Sequence, residues 1–483
     1  MPKASIADIS EATKGLTAPV MWLNTVATNP DVVALQSAVD GEPGTWNTWT
    51  YAQYRHMAEQ AADGLRAHGV VPGQRVLLLM RSRPDFHWFD VAVQLLRATP
   101  VSIYNSSAPE EIVYLAGHAE AEVVILEDAG FLDKVLKARG ELPLLKHIFV
   151  IEPPEGPLPE GVKAADDLYA YSALDADELA AAILPSDLAT LIYTSGTTGP
   201  PKGVMLSHGN IAYTVELLRQ EFGIGRDETV GVRVVSYLPM AHIAERVVSH
   251  YSQMLNGYTV TCCPDPRELA AYVRAVHPEI IFGVPRVWEK FYAGVNGALA
   301  ADPEKKLKFD EGIALAKEIK AAERAGTATK EQQDTWAFLD AVAFAPVRAL
   351  LGLDTVRSAV TGAAPIPREI HEWFLALGVP LSEIWGMSES SGPGTWDAYE
   401  IRPGMVGRAA PGIEVRLDHD GEVLIKGGNV FQGYLKDPQK TAEALTDDGW
   451  LRTGDIGEID ADGYLKIVDR KKELIITSGG KNI

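Results

Sequence analysis

From about Thr48 to Pro185 the chain alternates short apolar runs with helical stretches, and no other feature restricts its fold so strongly. Arg75-Val-Leu-Leu-Leu-Met80 and Glu122-Val-Val-Ile-Leu126 have the character of buried strands, whereas Tyr51 to His68 has that of a helix. Strands that recur with helices between them feed a mostly parallel sheet. The rhythm resumes after Ser186, where Ala189-Thr-Leu-Ile-Tyr193 precedes a Gly/Thr/Pro loop and Ile211 to Phe222 is helical in pattern. After Gly404 short strands and tight turns take over. Asp418-His-Asp-Gly421 and Asp460-Ala-Asp-Gly463 each place Asp-Gly between alternating apolar runs, a hairpin signal. The expected class is α/β, with α/β subdomains over residues 1–403 and a small β subdomain over 404–468. Between Asp302 and Asp340, Lys, Glu, Ala and Gln recur at helical spacing, broken at Gly326-Thr-Ala-Thr329. Alternating charge predicts a solvated helical hairpin, with a partner-binding element as the alternative.

Composition sets the limits. With 483 residues, 46% hydrophobic and 23% charged, the chain can bury a large core without staples, and neither disorder nor a coiled-coil rod fits. No stretch approaches the ~18 to 20 apolar residues of a spanning helix, and Met1 to Ser10 lacks a signal-peptide layout. The expected location is the cytoplasm; contact with a membrane would be peripheral at most, since no basic amphipathic helix stands out. Forty-four basic against 65 acidic residues give a net charge of −21, which argues against nucleic acid as a partner. Any anion site must build a local field from backbone amides, a metal ion or a few placed cations. Cys262 and Cys263 are adjacent, with neither disulfide nor metal-ligand spacing. They fit apolar strand positions, a reactive thiol being the alternative.

The densest chemical signal is Tyr193-Thr-Ser-Gly-Thr-Thr-Gly-Pro-Pro-Lys-Gly203. Gly196, Gly199 and Gly203 free the backbone to aim N–H groups at an anion. The hydroxyls of Thr194, Ser195, Thr197 and Thr198 add donors, and Lys202 adds a point charge. The spacing is not that of a Walker A loop. None of the 11 histidines forms a His-Glu-x-x-His set, and no Gly-x-Ser-x-Gly elbow is present.

This loop resembles the phosphate loop of the adenylate-forming superfamily, which includes acyl-CoA synthetases, peptide-synthetase adenylation domains and luciferases. Thr361-Gly-Ala-Ala-Pro365, Trp385-Gly-Met-Ser-Glu389, Gly449-Trp-Leu-Arg-Thr-Gly-Asp455 and Val468-Asp-Arg-Lys-Lys-Glu473 resemble its other motifs, in order. Tyr237-Leu-Pro-Met-Ala-His-Ile-Ala-Glu-Arg246, Gly283-Val-Pro-Arg-Val-Trp-Glu-Lys290, the helical hairpin and Thr477-Ser-Gly-Gly-Lys-Asn482 are similar to long-chain and bubblegum-type fatty acyl-CoA synthetases.

The resemblance implies a role for each motif. Glu389 and Thr194 would hold Mg²⁺ against ATP oxygens, with a carboxylate at a helix start capped by Ser388 as the bland alternative for Glu389. The phosphate loop, with Gly199 and Lys202, would cradle the triphosphate. Gly362, Ala363 and Ala364 would let the nucleotide lie against the backbone, together with Gly386, Met387 and Ser388. Trp385 replaces the tyrosine more usual in this family motif and would stack on adenine, unless it is a core residue. Asp455 would accept from the ribose hydroxyls and Arg470 would reach ribose and phosphate. His242 is either satisfied in the core or placed near the substrate carboxylate.

The function so implied is ATP-dependent activation of a fatty acid to acyl-AMP and then to acyl-CoA, with ATP, Mg²⁺ and coenzyme A required. Transfer to a carrier protein, a steroid or aryl acid as substrate, and a non-catalytic nucleotide or lipid-binding module are the competing readings. By the same resemblance, residues 469–483 hold a hinge at Asp469 and the start of a small C-terminal domain of roughly a hundred residues. That domain would supply a lysine for adenylation, a task not to be given to Lys202 or Lys481. The 483-residue chain is therefore expected to bind nucleotide and adenylate slowly.

Overall fold

The computed structural model describes residues 3–171, 174–194, 199–223, 225 and 228–470. Among these residues two large sheets dominate. One has seven strands in the order Leu381–Glu383, Ser358–Thr361, Ile280–Gly283, Arg233–Ser236, Thr259–Cys262, Val33–Val39 and Glu42–Thr50; all neighbours are parallel except the last pair. The other has eight, in the order Gly433–Tyr434, Lys202–Ser207, Leu188–Thr194, Thr99–Ser102, Arg75–Leu79, Ala121–Leu126, His147–Val150 and Val162–Ala164. Its first two junctions are antiparallel and the rest parallel. The expected α/β class, with mostly parallel sheets, is thus what forms.

Local chemistry explains the helices that carry the site. Thr50 caps Tyr51–Ala67 and forms a capping box with Gln53, and Tyr51, Tyr54, Ala58, Ala61, Ala62 and Leu65 supply the i, i+3, i+4 stripe that is buried. Ser207 and Asn210 make the same box for His208–Phe222, which starts three residues earlier than the apolar pattern suggests. Gly223, at φ +60°, stops this helix. Pro84–Leu95 is buried at every position but Asp85 and places Asp90 against Arg246 at 2.8 Å, with neither side chain exposed. Burial opposes the Asp90 charge, but Arg246 and His250 outweigh it and hold the carboxyl below its ordinary range.

A four-stranded antiparallel sheet, Glu414–Leu417, Glu422–Lys426, Leu451–Ile459 and Leu465–Arg470, follows, with its outer hairpins turning at Asp418–Gly421 and Asp460–Gly463. Between its second and third strands the chain leaves this sheet. Gly433–Tyr434 pairs instead with Lys202–Ser207, adding an edge strand to the eight-stranded sheet.

The Lys/Glu region forms helices Pro303–Arg324 and Lys330–Leu339, parted at Gly326. It is amphipathic rather than solvated all round: Phe309, Ile313, Ala316 and Ile319 are buried, and Phe309 meets Phe344 and Trp373. Cys262 and Cys263 are buried strand-end residues, and burial raises both thiols, that of Cys263 to about 12, so they are unreactive hydrophobes. Among the described residues no helix is long and apolar enough to cross a membrane.

Candidate active site

One cavity of about 620 Å³ opens at the carboxyl ends of the parallel strands, where α/β sheets commonly receive ligands. Phe282, Val360 and Ile384 come from three neighbouring strand ends of the seven-stranded sheet, and Thr194 from a strand end of the eight-stranded sheet. Of the residues that the sequence motifs single out, Thr194, Lys202, His242, Ala363, Trp385, Gly386, Met387, Ser388, Glu389, Asp455 and Arg470 all line this cavity. Motifs separated by as many as 276 positions therefore converge on one space. Gly199, Gly362 and Ala364 do not line it. Ser195, Gly196, Thr197 and Thr198 lie outside the described residues.

Two groups of polar side chains in the lining carry most of the motif residues. Glu389 sits in a single 3-10 turn, Ser388–Ser390, and is buried. Ser388 makes no side-chain cap; instead Ser390 Oγ accepts from the Met387 N–H at 3.1 Å and holds the turn. The Glu389 carbonyl accepts from Phe431 N at 2.8 Å, and the Tyr434 hydroxyl donates to Glu389 Oε1 at 2.7 Å. Burial, then the neighbouring Glu389 carboxylate, raises the Tyr434 phenol well above its ordinary range, so it remains a donor. Lys202 Nζ lies 4.5 Å from the centre of the Tyr434 ring, on its face. Strand register puts Thr194 opposite Lys202.

In the second group, Asp455 and Arg470 face each other across adjacent antiparallel strands, with Arg470 Nε 3.4 Å from Asp455 Oδ1. Trp385 Nε1 donates to Asp455 Oδ2 at 2.9 Å. The indole is half-buried and packs against the backbone of Gly394, where any Cβ would meet its ring. It is neither a sealed core residue nor a free platform.

His242 settles between the two alternatives left by the sequence. It caps the turn Ile243–Glu245 by accepting from Ala244 N at Nδ1, 3.2 Å, and it lines the cavity. Burial lowers its basicity, so the ring is neutral with its proton on Nε2, a donor. Gly362 is small for a packing reason: a Cβ there would stand 2.8 Å from the Ile384 side chain. Ala363, which does line the cavity, holds the left-handed φ of +67°.

A divalent cation fits this donor set. Glu389 and Thr194 present hard oxygens to the same cavity, and among the described residues only Oε1 of the Glu389 carboxylate receives a protein donor. The polar lining residues that escape the sequence motifs include Tyr434, carried in by the edge strand, Lys440, which is paired with Asp437 at 2.9 Å, and also Ser252, Glu422 and Glu443. An apolar part of the lining includes Leu218, Phe222, Val247, Val248, Ile280 and Phe282.

Residues 23–435 match the family model described as AMP-binding enzyme. The chain is 42% identical over 330 residues, 67% of its length, to fadD11 of Mycobacterium tuberculosis, a relative named for fatty-acid–CoA ligase activity, and spans 57% of that relative. It is 34% identical over 487 residues, 96% of its length, to the long-chain-fatty-acid–CoA ligase ACSBG2 of Xenopus laevis, and spans 64% of it. Among solved structures a Mycobacterium tuberculosis fatty acyl CoA synthetase aligns with a TM-score of 0.70 at 25% identity, over 96% of this chain and 80% of that one.

Proposed function

The chain belongs to the AMP-binding enzyme family, and from that membership we propose that it activates a long-chain fatty acid with ATP, forming acyl-AMP and then acyl-CoA. One observation carries this reading: a single cavity joins the groups around Glu389 and Asp455 to a long apolar wall. The first suits a nucleotide and the second an alkyl chain.

A carboxylate is a poor electrophile, because its charge repels nucleophiles and oxide is a poor leaving group. In the proposed reaction a carboxylate oxygen bonds to the α-phosphorus of ATP while the bond to the bridging oxygen breaks, and pyrophosphate leaves with the electron pair. The CoA sulfur, having lost its proton, then bonds to the acyl carbon and AMP departs. The protein's tasks are positional and electrostatic. Glu389 and Thr194 would hold Mg²⁺, which when bound screens phosphate charge. Lys202 would meet the phosphate oxygens. Asp455 would accept from the ribose hydroxyls with Arg470 beside it, and the Trp385 indole would flank the adenine. The neutral His242, a donor at Nε2, would orient the substrate carboxylate without adding a charge that traps it.

The test is product analysis with ATP, free CoA and a panel of acids. Equal amounts of long-chain acyl-CoA, AMP and pyrophosphate are expected. Acyl-AMP without thioester would mean a carrier-protein acceptor, and a preference for aryl or steroid acids over straight chains would overturn the substrate class.

A further inference from the structure

Behind the large cavity lies a second, small one of about 30 Å³. Phe222, Tyr258 and Ile280 line both, so these three side chains form the partition. The far side of the partition is bounded by Thr229, Arg357 and Tyr399, and Arg357 and Tyr399 are surface residues, with an ion pair from Arg357 to the partly buried Glu279 at 3.2 Å.

The three partition residues are not equally replaceable. Ile280 belongs to a central strand, paired to Val234 on one side and Ser358 on the other. Tyr258 is buried at the start of the strand Thr259–Cys262, and its carbonyl accepts from the Tyr51 hydroxyl at 2.8 Å. Phe222 instead ends the helix His208–Phe222. It is half-buried, its ring meets Trp396 edge to face at 5.0 Å, and its carbonyl accepts from the Tyr399 hydroxyl. Its backbone is fixed from outside while its ring stands in the partition.

We propose that Phe222 closes the acyl end of the cavity and sets the longest chain the site accepts. This rests on the fatty acid reading above. A saturated chain gains affinity with each methylene it buries, about fourfold per CH₂, until its end meets the partition and no further methylene can be buried. Removing the phenyl group joins the two cavities, and enlarging it to an indole shortens the first.

Equilibrium dialysis of straight-chain saturated acids of increasing length, against the wild type, Phe222→Ala and Phe222→Trp, tests this. Wild-type affinity should rise about fourfold per methylene to a limit and then fall; Phe222→Ala should move that limit to longer acids and Phe222→Trp to shorter ones. An unmoved limit in both variants overturns the proposal alone, whereas wild-type affinity independent of length overturns the fatty acid reading with it. MgATP affinity measured in parallel guards against general damage: an equal loss for every acid and for MgATP in both variants would show Phe222 to be a structural residue and would also overturn the proposal. If Phe222→Ala does not fold, Phe222→Leu and Phe222→Trp decide between the same outcomes.

Discussion

The Tyr434 hydroxyl donates to Glu389 Oε1 at 2.7 Å, so a residue from an edge strand fixes one oxygen of the carboxylate proposed to hold Mg²⁺. The fold spends a two-residue strand on this contact. Tyr434→Phe keeps the ring, and with it the face that Lys202 occupies, but removes the donor. A hydrogen bond to a charged group contributes about 1.5 kcal/mol at the lower end of its range, so MgATP should bind roughly tenfold more weakly. ATP without Mg²⁺ should bind Tyr434→Phe as it binds the wild type. Titration of both forms of the nucleotide checks this, and an equal loss for the two would remove Tyr434 from the cation's surroundings.

Trp385 and Asp455 make the corresponding pair on the ribose side, 2.9 Å apart. Trp385→Phe retains an aromatic face and loses the N–H, whereas Trp385→Ala loses both. The KM for ATP should rise roughly tenfold in the first and further in the second, since a hydrogen bond to a carboxylate contributes about 1.5 kcal/mol at the lower end of its range and stacking on a base adds ~1 to 3 kcal/mol. Equal effects in the two variants would mean that the hydrogen bond, not the ring, matters to the nucleotide.

Asp90 and Arg246 form a fully buried pair at 2.8 Å, with Arg246 Nη2 also donating to Ser102 at 3.0 Å and Nη1 to Tyr251 at 2.9 Å. Arg246 opens the π-helical turn Arg246–Tyr251, which supplies Val247 and Val248 to the cavity wall. Removing one partner strands the other charge, so Asp90→Asn or Arg246→Met should each lower stability by about 3 to 5 kcal/mol. Denaturant unfolding measures this directly, and a loss below about 1 kcal/mol would show that water reaches the pair.

Glu383 ends its strand in a buried position, and burial raises its carboxyl pKa to about 7. Its folded value exceeds its unfolded one, so the group contributes stability at low pH that fades as pH rises from about 4.5 through about 7. The full effect is about 3 kcal/mol. Burial depresses His208 and His371 to about 4 and works the other way: stability they contribute above pH 6.5 is lost as pH falls to about 4. Comparing wild type with Glu383→Gln cancels the histidine contribution. The wild type should lose stability relative to the variant between pH 4.5 and 7; parallel profiles would show that Glu383 is not the source.

Much of the site is legible in the sequence because its chemistry is written in dense local runs. Thr194 and Lys202 share one loop, Trp385 and Glu389 one five-residue motif, and Asp455 is followed 15 positions later by Arg470. What brings Tyr434 beside Glu389 is pairing across more than two hundred positions, to Val204 and Met205, and no periodicity records it. The same holds for the partition, assembled from Phe222, Tyr258 and Ile280. Hydrophobic alternation identifies the strands but not their order, and here strands 33–39 and 42–50 sit beyond 259–262 in the seven-stranded sheet. Gly362 shows a further limit: a small residue in a nucleotide motif can be small because Ile384 needs the space.

The central claim is that the groups around Glu389 and the apolar wall serve one adenylation. Its most direct test is a single-turnover incubation of this chain with MgATP and a long-chain saturated acid, with acyl-AMP quantified by mass spectrometry, in the wild type and in Glu389→Ala. The account predicts acyl-AMP approaching one per chain in the wild type, formed at least a hundredfold more slowly in Glu389→Ala, as ~2.7 kcal/mol of lost charge stabilisation requires. Acyl-AMP formed at equal rates by the two proteins, or absent from the wild type with every straight-chain acid tried, would contradict it.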